Sequence, residues 1–272
     1  MMASLMETAD LRYAYPGAAA AASICPGQRA QALAGASLAV RAGTRLALLG
    51  GNGSGKSTLL LQLNGTLRPT SGEVRFAGAK LDYSRRGLTK LRQHVALVFQ
   101  DPDDQLFAGT LAQDVSFGPL NLGLNEAEAA RRVAEALDAV GLAEFGDLPL
   151  HMLSHGQRKR AAIAGGLALR PLALVLDEPT AGLDPEGVEA LLAHLDGLHA
   201  QGMTVVFSTH DIQLARCWAD EVAIMQAGCI IGFGDTAAML ADEDLLRRAR
   251  LCPTRATARH RDTALPAGII QR

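Results

Sequence analysis

Three things are scarce in this 272-residue chain: cysteine, charge of one sign, and long apolar runs. The four cysteines, Cys25, Cys217, Cys229 and Cys252, have no metal-ligand spacing, which argues for reduced thiols and against a zinc site or a disulfide framework. With 26 Lys+Arg against 28 Asp+Glu, the net charge is −2 and the pI is near 6.4, so the basic footprint that nucleic acid requires is missing. The longest apolar run, Ala161 to Leu176, is broken by Arg170-Pro171, too short to cross a bilayer. The first residues show no basic region followed by an apolar stretch, so no leader is expected, and any membrane attachment comes through partners. There are no internal repeats. What remains is a chain 49% apolar, enough for one large α/β domain with appendages.

The first motif is Gly50-Gly51-Asn52-Gly53-Ser54-Gly55-Lys56-Ser57, with Thr58 after it, which fits G-x-x-x-x-G-K-[ST]. Leu46-Ala47-Leu48-Leu49 before it reads as a buried strand, and Thr58-Leu59-Leu60-Leu61-Gln62-Leu63 after it has helix-forming composition. A glycine-rich turn between strand and helix presents backbone N–H groups and the positive helix end to an anion. Lys56 is expected at the β- and γ-phosphates of a nucleotide and the Ser57 hydroxyl at Mg²⁺.

Leu172-Ala173-Leu174-Val175-Leu176 is apolar without alternation, the pattern of a strand buried on both faces, and it ends in Asp177-Glu178. Thr204-Val205-Val206-Phe207-Ser208 is a third such strand, ending at Thr209-His210-Asp211. In an open parallel sheet ligands sit at the carboxyl ends of strands, so Lys56, both acids and His210 are expected on one edge. Asp177 would hold magnesium through its water shell, and Glu178 would orient or deprotonate a water in line with the γ-phosphate. Two solvated turn acids before Pro179 and a packed imidazole are the plain alternatives.

Leu153-Ser154-His155-Gly156-Gln157-Arg158 carries Ser154 and Gln157 at capping-box spacing, so a helix should start here, run through Ala161, Ile163 and Leu167, and stop before Pro171. Its N-terminus is a second anion site on a chain whose phosphate loop already cradles one nucleotide. An ordinary capped helix is one reading; a phosphate supplied by another molecule is the other.

Taken in order, these motifs resemble the nucleotide-binding domain of ATP-binding cassette (ABC) proteins over residues 7 to 235. The resemblance adds Tyr15 as the adenine-stacking aromatic, with Tyr13 as a core aromatic, Gln100 as the Q-loop, and Ala181-Gly182-Leu183-Asp184 after the acids. It implies an α/β fold: a phosphate-loop NTPase with a RecA-like, mostly parallel sheet, an antiparallel β subdomain and a helical subdomain. It implies ATP and Mg²⁺, with Gln100 completing the Mg²⁺ and water shell beside Ser57 and Asp177. Two domains then close head to tail, so that Ser154, His155, Gly156 and Gln157 meet the γ-phosphate on the partner's Lys56. Asp184 runs along the seam, and His210 aligns the water with Glu178.

Val98-Phe99-Gln100-Asp101-Pro102-Asp103-Asp104-Gln105-Leu106-Phe107 and Asp114-Val115-Ser116-Phe117-Gly118-Pro119 look like the ATPase of energy-coupling factor (ECF) importers. The run from Leu153 into Lys159-Arg160-Ala161, and Ser208-Thr209-His210-Asp211 with Trp218-Ala219-Asp220, are most similar to the cobalt and nickel branch. That implies a homodimer at the cytoplasmic face of the cell membrane, peripheral, with a transmembrane scaffold (T) component and a substrate-capture (S) component and no nucleic acid. Vitamin importers and other ABC importers are the alternative; a soluble ABC ATPase acting on nucleic acid or ribosomes lacks support, since neither a long coiled coil nor a second cassette is present.

Two places depart from the ABC pattern. His155 stands where glycine is usual, at a position with ordinary helical angles, and a modest effect is expected with the imidazole close to phosphate. Ala18 to Gln31 is an alanine-rich stretch that looks like a loop insertion. The expected organisation is a cassette over 1–240, with a helical subdomain over about 89–165 that includes the amphipathic Glu126 to Val133, and an arginine-rich, solvated extension over 241–272.

Overall fold

The computed structural model describes residues 4–17 and 31–251. The alanine-rich stretch over 18–30 and the arginines Arg255, Arg259 and Arg261 lie outside the described residues.

A four-stranded antiparallel sheet has the order β2-β1-β4-β5, from β1 (Ser4–Tyr13), β2 (Leu33–Arg41), β4 (Ser71–Phe76) and β5 (Ala79–Lys80). The second sheet has six strands in the order β10-β9-β3-β8-β7-β6. They are β3 (Arg45–Leu49), β6 (Val95–Val98), β7 (Ala173–Leu176), β8 (Thr204–Thr209), β9 (Glu221–Gln226) and β10 (Cys229–Asp235). All pairings in it are parallel except β9 with β10.

The unbroken apolar runs are explained by cores on both faces of this sheet. In β3, Leu46 and Leu48 enter the core shared with the antiparallel sheet, while Ala47 and Leu49 enter the core under the helices. Ala173 and Val175 against Leu174 and Leu176, and Val206 against Val205 and Phe207, divide in the same way. A strand's two-residue period sends successive side chains to opposite faces, and burial of both faces leaves no polar alternation to read.

The described α-helices are α1 (Lys56–Leu63), α2 (Arg85–His94), α3 (Leu111–Asn121), α4 (Glu126–Ala139), α5 (His155–Leu167), α6 (Pro185–Ala200), α7 (Ile212–Trp218), α8 (Thr236–Ala241) and α9 (Glu243–Arg248). Helices α3, α4 and α5 pack on one another. Helix α4 buries Ala129, Val133, Ala136 and Leu137, one stripe of a 3.6-residue period. The stretch expected to be helical from about Thr89 completes α2 and then forms β6, because Val95-Ala96-Leu97-Val98 pairs with β7 at the sheet edge. The separate helical layer begins at Leu111. Past residue 240, Leu245, Leu246 and Ala249 are buried in the core under the helices, so the chain is packed on the cassette through α9.

Candidate functional site

Strand β3 ends at Leu49, and the glycine-rich loop delivers the chain to α1 through Gly55, the helix N-cap, at φ 107. No side chain fits there: a Cβ on Gly55 would fall 2.6 Å from the Ala32 carbonyl oxygen. A Cβ on Gly50 would fall 2.5 Å from Ser54 Oγ and 2.7 Å from the Met225 carbonyl oxygen. Among the described α-helices, α1 is the one whose start has no side-chain cap, and its first turn has no acid. Ser54 Oγ is buried without a hydrogen-bond partner. Uncapped amides, an orphaned hydroxyl and a loop closed to Cβ atoms fit a bound phosphate chain.

Lys56 is 7% exposed, and its Nζ donates to the Gly50 carbonyl at 2.8 Å and lies 3.5 Å from Glu178 Oε1. On the other side, Glu178 Oε2 is 3.1 Å from His210 Nδ1. The carboxylate of Glu178 therefore sits between the phosphate-loop lysine and an imidazole that is itself exposed. Strand order makes this possible, since β8 lies between β3 and β7 and all three end on the same edge.

Glu178 has φ 43, a left-handed conformation that is costly for a side chain of this size. Its N–H donates to Ser208 Oγ at 2.9 Å, and the Ser208 hydroxyl donates to Asp177 Oδ1 at 2.5 Å. One buried hydroxyl of β8 thus ties both acids together, accepting from the Glu178 backbone and donating to the Asp177 carboxylate.

A cavity of about 540 Å³ opens here, lined by Tyr15, Asn52, Gly53, Ser54, Gly55, Lys56, Ser57, Thr58, Gln100, Glu178 and His210. Gly50 and Gly51 form the near end of the loop, and Asp177, bonded to Ser208, is not among the lining residues. The Tyr15 ring is 44% exposed at the rim, with its hydroxyl 3.2 Å from Thr58 Oγ1. Tyr13 packs edge-on against it at 5.0 Å between centroids and joins the core shared with the antiparallel sheet.

A second depression, of about 480 Å³, lies at the start of α5 and is lined by Ser154, His155, Gly156, Gln157, Gly182 and Asp184 among others. The capping box is complete: Ser154 N–H donates to Gln157 Oε1 at 2.7 Å, and Gln157 N–H donates to Ser154 Oγ at 3.2 Å. Asp184 caps α6, its Oδ1 accepting from Gly187 N–H at 2.8 Å. His155 turns its imidazole over Gly182, where a Cβ would come within 3.2 Å of Nε2. Gly182 has φ 76, so glycine is required there for its backbone as well as for its missing side chain. Within one chain, the imidazole expected near phosphate thus packs on the loop that follows the acids. Among the described residues none lines both depressions.

Two buried residues, quoted above only as part of longer runs, were given no role of their own. Ser208 is a buried hydroxyl beside Thr209 at the end of β8, and Lys159 a buried lysine between Arg158 and Arg160 on α5.

The model of the ABC transporter family matches residues 33–181, more than half of the chain. The cobalt import ATP-binding protein CbiO of Rhodobacter capsulatus is 53% identical over 252 residues, covering 93% of this chain and 86% of that protein. The energy-coupling factor transporter ATP-binding protein EcfA of Methanocaldococcus jannaschii is 47% identical over 247 residues, covering 91% and 85%. Among solved structures, cbiO1 of Clostridium perfringens, part of the ABC transporter complex cbiONQ, superposes with a TM-score of 0.77 at 39% identity, covering 95% and 99%. The dimeric cassette MJ0796 in a post-hydrolysis state with ADP and Pi gives a TM-score of 0.73 at 28% identity, covering 85% and 98%. The chain belongs to the ABC transporter family, as the ATP-hydrolysing subunit of a CbiO/EcfA-type importer.

Proposed function

We propose that this ATPase powers import of a transition-metal ion, cobalt before nickel, as a head-to-tail homodimer with two ATP at the interface. The observation that carries the dimer is the division of the site. The phosphate-loop cavity holds Lys56, Glu178 and His210, and a separate depression holds Ser154 and Asp184. A second copy turned head to tail brings its Ser154 depression over the first copy's phosphate loop. The 53% identity to a cobalt import protein favours the metal; the relatives named for energy-coupling factor transporters support the second reading, another cargo of the same importer class.

In this reading Tyr15 stacks on adenine, while Gly50 to Thr58 hold the phosphates with Lys56 at the β- and γ-oxygens. Ser57, Gln100 and, through water, Asp177 would hold Mg²⁺, which would neutralise phosphate charge. Glu178 takes or orients the proton of the attacking water, and His210, 3.1 Å from that carboxylate, keeps it aimed. Positioning and charge stabilisation supply most of the rate, which is why groups from both copies are needed.

Among the described residues no helix is long and apolar enough to cross a membrane. The reading therefore places the dimer on the cytoplasmic face, attached through T and S components. A shallow groove lined by Phe99, Gln105, Gly165 and Leu169 is the docking place for the T component. Gln105 joins it to α5, its Nε2 donating to the Ala162 carbonyl at 3.0 Å. Copurification of the membrane partners followed by uptake assays with cobalt and nickel tests the reading. ATP-dependent cobalt uptake is the expected result, and uptake of neither ion overturns the metal assignment.

A further inference from the structure

Lys159 has no part in the reaction as described so far, yet it is among the most deeply buried charged side chains of the molecule, 4% exposed. Its Nζ donates to the Glu178 carbonyl at 3.2 Å and to the Pro179 carbonyl at 3.1 Å. An ammonium is not withdrawn from water without compensation, and here two carbonyl dipoles supply it together with the more distant carboxylates of Asp101 and Glu178. Burial pushes the lysine's pKa down, and those two acids oppose the shift.

The carbonyls it holds belong to the strained point of the site. At φ 43, Glu178 persists only because its surroundings over-determine it. Ser208 grips the residue from the N–H side, and Lys159 grips it from the carbonyl side. The two grips come from different bodies. Ser208 is on β8, in the same sheet as the acids, whereas Lys159 is on α5, the helix that starts at Ser154. His155, one turn earlier on α5, packs over Gly182 a few residues past Glu178, so the helix touches the acid-bearing segment at two successive turns.

We infer that Lys159 is a positioning residue: it clamps the backbone of Glu178 so that the carboxylate is aimed between Lys56 and His210, and it makes that aim depend on the placement of α5. The inference rests on the reading of Glu178 as the hydrolytic base. A helix that docks on the partner's nucleotide thereby sets the geometry of the base in its own chain, and a misplacement of about 1 Å is enough to cost on the order of a hundredfold in rate.

The test uses the full-length chain, alone and with its copurified membrane partners, and measures ATPase kcat, affinity for Mg-ATP and the thermal unfolding midpoint. Lys159→Met keeps the length and apolar stem of the side chain and removes the donors; Lys159→Gln restores neutral donors; Glu178→Gln is the reference. Lys159→Met is expected to lower kcat about ten- to a hundredfold while Mg-ATP affinity stays within about threefold, and Lys159→Gln is expected to recover at least about threefold of the loss. Wild-type kcat in Lys159→Met beside an inactive Glu178→Gln removes Lys159 alone. Wild-type turnover in Glu178→Gln removes the base itself and with it the reading on which the inference stands. Loss of ATP binding or of folding in both Lys159 variants, or equal kcat in the two, makes the lysine a packing residue and overturns the proposal.

Discussion

In the proposed dimer helices α1 and α5 would both present an N-terminus to phosphate, and they are built in opposite ways. Helix α1 starts on a glycine with left-handed φ, has no side-chain cap and leaves Ser54 Oγ without a partner. Helix α5 starts on a serine in an extended conformation with every element of a capping box in place. A helix start needs acceptors for its first amides. At α1 the chain supplies no side-chain acceptor, which in the proposed reading leaves that part to the phosphates. At α5 the chain supplies its own, so the helix is formed before any partner arrives and can act as a rigid probe. The first arrangement suits a cradle that must hold the nucleotide, and the second suits a surface that must recognise it across an interface.

The largest test of this contrast lies in the cavity, not at either helix. Glu178→Gln should lower ATP turnover by about two to four orders of magnitude while Mg-ATP still binds and a closed dimer accumulates, seen by size exclusion with ATP. Turnover near wild type would take the base out of the cradle. Next, Lys56→Ala should weaken nucleotide binding by about a hundredfold, because a charge-assisted contact in a cradle without other caps is lost. Titration with a fluorescent ATP analogue measures it, and unchanged affinity would mean the α1 amides suffice alone.

Ser154→Ala probes the other helix. Loss of the cap should cost about 1 kcal/mol of stability and shift ATP-driven dimerisation by roughly fivefold, with ATP affinity of the single chain unchanged. A parallel loss of ATP affinity would join the two sites that the structure keeps apart. The smallest effect is expected from His155→Gly, with ATPase activity within about threefold of wild type, since the imidazole packs on Gly182 and N1 of a helix accepts either residue. Abolished activity in a folded, dimeric variant would instead make the imidazole part of the interface.

Much of this was legible along the chain. The glycine loop, the strand runs and the Ser154–Gln157 box are local patterns, and the structure contains the loop, the strands and the box where the spacing puts them. Strand β6 was hidden because Val95 to Val98 is too short to separate from a helical stretch by periodicity. Helix α9 was hidden because its arginines mask Leu245 and Leu246, the residues that dock it on the core. At the site, Lys56, Glu178 and His210 were expected on one edge, but the side-by-side contact of Glu178 with the other two could not be read from three separate strand ends.

By itself, then, the sequence determined the chemistry on offer: which residues can cradle phosphate, cap a helix or move a proton, each set by neighbours within about four positions. Only the tertiary structure decided how that chemistry is aimed. It set Ser208 between Asp177 and Glu178, buried Lys159 under the carbonyls of Glu178 and Pro179, and turned His155 onto Gly182. These contacts join segments far apart in the chain, and their geometry follows from strand order and from which face of α5 is buried, neither of which a local pattern contains.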